Sequence, residues 1–391
     1  MCGSDGPIHG REGKEMIYLD NAATTQMSSE VLEAMLLYMK EAYGNPSSSY
    51  ALGREARKAV EVARSKIAMC IGAEPDEIIF TSGGTEADNL AINGFLNANP
   101  FLNMCITSTI EHKAIETNKH AHQCFFCNTD GVIDVNNVSD YISTFKGGTS
   151  WLYLVSVMAV NNETGVRQPI EKIAEVSHEA GFIFHTDAVQ AFGHIPINVK
   201  SMGIDMMSVS AHKINGPKGI GFLYKKRDVQ LAKCFSGGGQ EFGLRPGTEN
   251  VPGIIGLAKA VELATENINK VNLSWFEDML VRQCGAHING MSCHNDPYKR
   301  TINCYFDDIH NGTLLQGLSD VGIYISAGSA CNSDSVEPSH VLKAMGLSDD
   351  ECNKSIRIST DGYISKEDAQ TVVNEINRIR KEAMEVSNIV L

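Results

Sequence analysis

The sequence predicts an α/β protein, with a large domain on a mostly parallel sheet followed by a smaller α+β domain. Three observations predict it. Short apolar runs alternate with amphipathic stretches from Glu77 to Tyr224, the pattern of successive β–α units. The chain has 391 residues, more than one compact core organises. Past about Asn267 the pattern changes to helices interspersed with isolated strands, so the boundary is expected between Asn267 and Leu273. The expected units are 16–267 and 268–391, with residues 16–30 packing near the second.

Composition narrows the function. Forty-seven acidic against 33 basic residues give a formal charge of −14, which argues against a nucleic-acid or anionic-membrane surface. No apolar run approaches the roughly 18 residues of a membrane span. The 11 cysteines are odd in number and lack disulfide-like spacing, and no apolar leader core stands at the start, so a reducing cytoplasm is expected. Residues 1–15, polar and glycine-rich, are expected to form a disordered extension.

Ile17–Asp20 is a short apolar run closing in the small-residue turn Asn21–Thr25. Val31, Leu32, Met35, Leu36 and Met39 recur at helical spacing behind Ser28 or Ser29 as cap. Gly44-Asn-Pro ends that helix, and a second runs from about Gly53 to Ile71. Glu77–Thr81 reads as a buried strand that enters Ser82-Gly-Gly-Thr85 and a helix through Phe95. Strands are then expected at Cys105–Ser108, Trp151–Val155, Phe182–His185, Met206–Ser210 and Ile220–Tyr224. A polar loop, Gly237–Asn250, precedes a helix from Val251 to about Asn267. Beyond the boundary, helices are expected at Leu273–His287, Thr313–Asp320, Pro338–Met345 and Lys366–Met384. Strands are expected there at Thr301–Phe306, Ile323–Ser326 and Lys354–Ser359.

In a parallel sheet the residues just past the strand carboxyl ends gather in one crevice. His112, Asn162, Asp187, Gln190, Ser210, His212 and Lys213 all occupy that position. Lys213 stands between a strand end and the Gly216-Pro217 turn, where desolvation can bring an amine into its nucleophilic range, as Schiff-base chemistry requires. Its plain alternative is a surface charge. The strand–glycine turn–helix at Thr81–Thr85 is suited to a phosphate, since uncapped amides and the positive helix end converge there; a simple turn is the alternative. His120-Ala-His-Gln-Cys-Phe-Phe-Cys127 holds metal-ligand residue types, but strand spacing sends Cys124 and Cys127 to opposite faces, so packed cysteines and no metal are expected.

Taken together, a set of motifs resembles the pyridoxal-phosphate cysteine desulfurases of the NifS/IscS kind, class-V aminotransferase-like proteins. They are Tyr18-Leu-Asp-Asn-Ala-Ala-Thr24, Tyr43-Gly-Asn-Pro-Ser47, Thr81-Ser-Gly-Gly-Thr-Glu86, Glu111-His112, Asn161-Asn-Glu163, His185-Thr-Asp-Ala-Val-Gln190, Ala211-His-Lys213, Gly216-Pro-Lys-Gly219, Arg245-Pro-Gly-Thr-Glu-Asn250 and Gly328-Ser-Ala-Cys331. The resemblance runs from about Ile17 to Ala369 and implies fold type I: a mostly parallel seven-stranded sheet in the large domain, and a homodimer. It implies that Lys213 carries pyridoxal 5′-phosphate covalently and then acts as base, that Asp187 pairs with the ring nitrogen and that Gln190 donates to the ring oxygen. It further implies that His112 stacks on the ring, that Gly84, Thr85, Ser210 and His212 hold the phosphate, and that Thr248 reaches the phosphate of the partner subunit. Asn162, also beside the cofactor, and Arg357 would receive the carboxylate of L-cysteine, to which Arg offers a bidentate fork. Cys331, on a mobile loop at about 326–337, would take the sulfur as a persulfide for a sulfur-acceptor protein, serving iron–sulfur cluster assembly or tRNA thiolation. Alternatives are a selenocysteine lyase or cystine C–S lyase on the same fold, which have less need of Cys331, and a non-enzymatic sulfur-carrying scaffold. Two departures stand out: Thr360-Asp361-Gly362 where the family has Leu-Gly, and Thr164 where it has an aliphatic residue.

Overall fold

The computed structural model describes residues 16–99, 104–145, 153–266, 268, 270–328 and 337–390. The 1–15 extension, the start of the Trp151–Val155 strand and Cys331 with most of its loop lie outside the described residues. In chain order the strands are β1 Ile17–Tyr18, β2 Ile78–Thr81, β3 Cys105–Ser108, β4 Ala121–Phe125, β5 Leu154–Ser156, β6 Ile183–Asp187, β7 Met206–Ser210, β8 Gly221–Lys225, β9 His287–Asn289, β10 Thr301–Tyr305, β11 Ile323–Tyr324 and β12 Ser355–Ser359.

Seven strands form the main sheet in the order β2-β8-β7-β6-β5-β3-β4. From β7 to β4 every pairing is parallel, whereas β8 runs antiparallel to both of its neighbours. Successive side chains serve opposite faces, as strand geometry requires. Ile78, Phe80, Ile106, Val155, Phe184, Met207 and Phe222 pack into one core. Ile79, Cys105, Leu154, Met206 and Leu223 pack into the other, under the helix Gly84–Ala98. Burial on both faces is why these strands read as continuous apolar runs rather than alternating ones.

A further core joins Leu19 to Phe276, Leu280, Ile302, Phe306, Ile356, Ile358, Val372 and Ile376. It is built on the three-stranded sheet β12-β10-β9 and the helix Lys366–Val390. The chain start reaches this core: β1 pairs in parallel with β11, and Ser359 N–H donates to Leu19 O at 2.8 Å. A two-stranded ladder cannot bury itself, so residues 17–20 depend on this packing.

The polar loop ahead of the helix Val251–Glu266 is pinned to the main sheet. Glu241 and Phe242 have positive φ, 45° and 57°. The Glu241 carboxylate accepts bonds from both terminal nitrogens of Arg64 at 2.8 Å and from Phe80 N–H at 2.8 Å. The Arg64 guanidinium lies between the rings of Phe80 and Phe242, 4.7 and 5.0 Å from their centroids. A second pair, Arg245 Nε to Glu86 Oε1 at 2.7 Å, ties the loop to the first turn of the helix Gly84–Ala98.

Candidate active site at the carboxyl ends of the parallel strands

A cavity of about 180 Å³ opens where the parallel strands end. Its wall includes Gly84, Thr85, His112, Asn162, Asp187, Gln190, Ser210, His212, Lys213 and Arg357. These come from six stretches of chain, most of which the alternation of strands and helices carries to one edge. Asp187 closes β6 and Ser210 closes β7, with Lys213 in the short turn Ala211–Lys213 behind it. His112 caps the turn Lys113–Glu116 through Nδ1, which accepts from Ala114 N–H at 3.2 Å. Arg357 arrives from β12, whose core is the separate one.

Lys213 Nζ donates to the carbonyls of Ala22 and Ala23, at 2.5 and 2.7 Å, and Gln190 Nε2 to Ala22 O at 2.9 Å. The Asn21–Thr25 turn therefore forms one rim of the cavity. The Lys213 carbonyl meets Nε2 of His194 at 3.1 Å; burial lowers that ring's pKa to about 3 and keeps it neutral. Burial, then Lys213 and Lys218, lowers His212 to about 4, and its Nδ1 meets Thr24 Oγ1 at 3.2 Å.

Asp187 is buried, and burial raises its carboxyl pKa, while His112, Val189 N–H and Lys213 act the other way. Val189 N–H donates to Asp187 Oδ1 at 2.8 Å. Such a carboxylate is stabilised by a cation placed beside it. At the other end, Gly83 caps the helix Gly84–Ala98 in an extended left-handed conformation, φ 155°, with no side-chain cap, so the first amides of the helix face the cavity beside Thr85. A Cβ on Gly221 of β8 would stand 2.3 Å from Val209 O and 2.9 Å from Gly83 Cα, so the strand is held close under that turn. A phosphate at the helix end and a cationic ring nitrogen at Asp187 match this donor set. The residues fit pyridoxal phosphate.

Arg357 is 1% exposed. Its Nη2 pairs with Asp20 Oδ1 at 2.6 Å and its Nη1 donates to Asn162 O at 2.9 Å. Arg357 Nε and Asn162 Oδ1 are buried without hydrogen-bond partners. Asp20, 337 residues away in the chain, carries no sequence signal for this pairing. Thr248 is exposed and absent from the cavity wall. The departures are accommodated locally. Thr360 Oγ1 accepts from the amides of Gly362 and Tyr363 and closes the turn after β12, and Thr164 Oγ1 donates to Asn161 Oδ1 at 3.2 Å. His120, His122, Cys124 and Cys127 form no metal cluster among the described residues. Instead the Cys124 thiol donates to the Tyr141 hydroxyl at 2.9 Å. Asp88 and Met158 also line the cavity, unmarked by the sequence pattern.

The family of class-V aminotransferases matches residues 17–372. A protein named cysteine desulfurase IscS from Methanosarcina thermophila is 40% identical, covering 97% of this chain and 97% of its own. A putative cysteine desulfurase IscS 1 from Bacillus subtilis (strain 168) is 44% identical, over 94% of this chain and 99% of its own. Among solved structures, a NifS-like protein superposes with TM-score 0.82 at 33% identity, covering 93% of this chain and 99% of that one. A structure described as SspA in complex with cysteine gives TM-score 0.75 at 35% identity, over 89% and 100%. With its sheet, its cavity and these similarities over nearly all its length, the chain belongs to the class-V aminotransferase family, in the branch of the NifS/IscS cysteine desulfurases.

Proposed function

We propose that this protein converts L-cysteine to L-alanine and takes the sulfur on Cys331 as a persulfide. The observation that carries the reading is the convergence of Lys213, Asp187, His112, Gln190 and Arg357 on one cavity at the strand ends. When bound, pyridoxal phosphate supplies an electron sink that lets the substrate Cα–H and then its Cβ–S bond break. Lys213 holds the cofactor and afterwards moves the Cα proton. Asp187 would keep the ring nitrogen protonated, Gln190 would donate to the ring oxygen, and His112 would cover the ring face and relay protons. The amides after Gly83, with Gly84, Thr85, Ser210 and His212, bind the phosphate. The substrate carboxylate goes to Arg357, whose partnerless Nε supports that role, and to the side-chain amide nitrogen of Asn162. In the sulfur step the Cys331 thiolate attacks the substrate sulfur: an S–S bond forms, the Cβ–S bond breaks, and Cβ takes a proton to complete alanine.

The active unit is a homodimer in which Thr248 reaches the partner subunit's phosphate. Its exposed position supports this, as do Leu32, Leu36, Leu37 and Met39, which leave an apolar face open on the helix Ser29–Lys40. The persulfide passes to an acceptor protein for iron–sulfur cluster assembly or tRNA thiolation. Units 16–267 and 268–391 act as two domains, a division supported by the separate core around Phe276, Ile302, Phe306 and Ile356, while Val341, Leu342, Met345 and Cys352 of the second unit pack into the main-sheet core. A reducing cytoplasm suits nine described cysteines that are all free, and no described helix is long and apolar enough to cross a membrane.

The test is spectroscopic and chemical. The holoenzyme should show the visible absorption of the lysine-bound cofactor and release alanine from cysteine, and Lys213→Ala should abolish both. Cys331→Ser should keep the absorption and lose sulfur transfer. Unchanged sulfur transfer in Cys331→Ser would move the protein to the C–S lyases.

A further inference from the structure

Behind Asp187 lies a second carboxyl group that the proposed chemistry does not use. Asp88 sits in the first turns of the helix Gly84–Ala98, is 1% exposed and lines the cavity. One oxygen of Asp88, one of Asp187 and one ring nitrogen of His112 all lie within 4.8 Å of one another. Asp88 Oδ1 has no hydrogen-bond partner. Nε2 of His185 stands 3.8 Å from it. That ring is buried between Ser156 Oγ at 2.8 Å and Ser208 Oγ at 3.0 Å, and burial lowers its pKa to about 3, so it brings no charge. Ser208, on β7, also hydrogen-bonds the Asp88 side chain.

Two carboxylates this close, away from water, cannot both stay ionised, and they share a proton. Their partners decide where it rests. Asp187 faces His112, Lys213 and the Val189 amide, all of which favour its charged form. Asp88 faces Asp187, Glu111 and the neutral His185, none of which favours an anion; Ser208 donates to it, and the nearby His112 ring nitrogen is shared with Asp187, whose charged form it favours. Glu111, the third buried carboxyl, is itself pushed up to about 8 by burial, although Ser108 Oγ and Met158 N–H donate to it. On the flanking turn, Lys113 pairs with Glu116 at 3.0 Å.

We infer that Asp88 is a positioning residue for Asp187: a proton-bearing carboxylic acid under the cavity floor that leaves Asp187 as the single negative charge beside the cofactor's ring nitrogen. This rests on the cofactor assignment above. A proton-bearing Asp88 keeps the charge opposite the ring at one. Its ionisation at alkaline pH would place a second negative charge there, change the field on the ring and alter the visible absorption.

The experiment compares wild type and Asp88→Asn, as holoenzyme and as apo-protein, by infrared difference spectroscopy with ¹³C-labelled aspartate and by visible absorption from about pH 6 to about pH 10. The expected result is a carboxylic-acid carbonyl band in the wild type that shifts with the label and is absent from Asp88→Asn. The variant should bind cofactor within about threefold of wild type at neutral pH and lack the alkaline spectral step. Three results would each overturn the inference: no such band, superimposable pH titrations, or a tenfold or greater loss of cofactor affinity in a folded Asp88→Asn. Should the variant not fold, the labelled band in the wild type still decides. A failed cofactor assignment looks different, because the wild type itself would then give no visible band, whereas the apo-protein infrared spectrum reads Asp88 without the cofactor.

Discussion

Replacing Glu241 by Gln tests how the loop that carries Thr248 is held. The Arg64 and Glu241 side chains are 4% and 3% exposed, so the ion pair is buried. The amide keeps the size of the carboxylate but turns an –NH2 group toward a guanidinium or amide donor, and it leaves Arg64 charged without its partner. Breaking a buried pair on one side costs about 3–5 kcal/mol. Arg64 retains the Ile78 carbonyl at 2.7 Å, the faces of Phe80 and Phe242, and the exposed Glu61 at 3.3 Å. The lower end, about 3 kcal/mol, is therefore expected. For a chain of this length that lowers the thermal midpoint by about 4 °C. The strained φ values at Glu241 and Phe242 lose their restraint together with the pair. Cofactor retention should then fall as well, because Thr248 is displaced. A double replacement, Arg64→Met with Glu241→Leu, should recover most of the stability, since an apolar pair leaves no buried charge alone. Thermal melts and cofactor release on dialysis measure both effects. A Glu241→Gln variant within about 1 kcal/mol of wild type would refute the reasoning.

Gly221→Ala should push β8 away from the turn at Gly83, because the new methyl meets only backbone at 2.3–3.1 Å. The expected cost is about 1–3 kcal/mol with weaker cofactor binding, and unchanged binding in a calorimetric titration would contradict the cradle described here. Glu111 supplies a pH test. Folding raises its pKa from 4.5 to about 8, so the stabilisation from its retained proton is complete below about pH 4.5 and is lost as pH rises toward 8. Glu111→Gln cannot titrate, so its stability should gain on the wild type between about pH 5 and about pH 8. A constant gap across that range, measured by denaturant titration, would rule the buried proton out.

The parts of the fold that the sequence displays are those where local chemistry and tertiary packing agree. The buried strands β2, β3, β6, β7 and β8 read as apolar runs because both sheet faces are covered. β4 is harder to read, since His122 and Gln123 sit on an edge strand with solvent on one side. The helix expected through His287 stops at Cys284, where Gly285 takes φ 65° and ends it, and the short strand β9 that begins at His287 has no apolar pattern of its own. The helix Asp349–Lys354 went unread because its capping box, Ser348 with Glu351, precedes a charged stretch without apolar period. At the site, strand-end residues were legible from topology alone. The Asp20–Arg357 pair and the place of Asp88 beside Asp187 were not, since both depend on packing between distant segments.

The central claim is that one thiol, Cys331, takes the sulfur of the substrate. Mass analysis of the holoenzyme after incubation with L-cysteine tests it most directly. The account predicts one added sulfur atom, removable by a reducing thiol, on the peptide containing Cys331, with alanine formed in equal amount. Alanine formation with that peptide unmodified, or sulfur added to another cysteine, would contradict it.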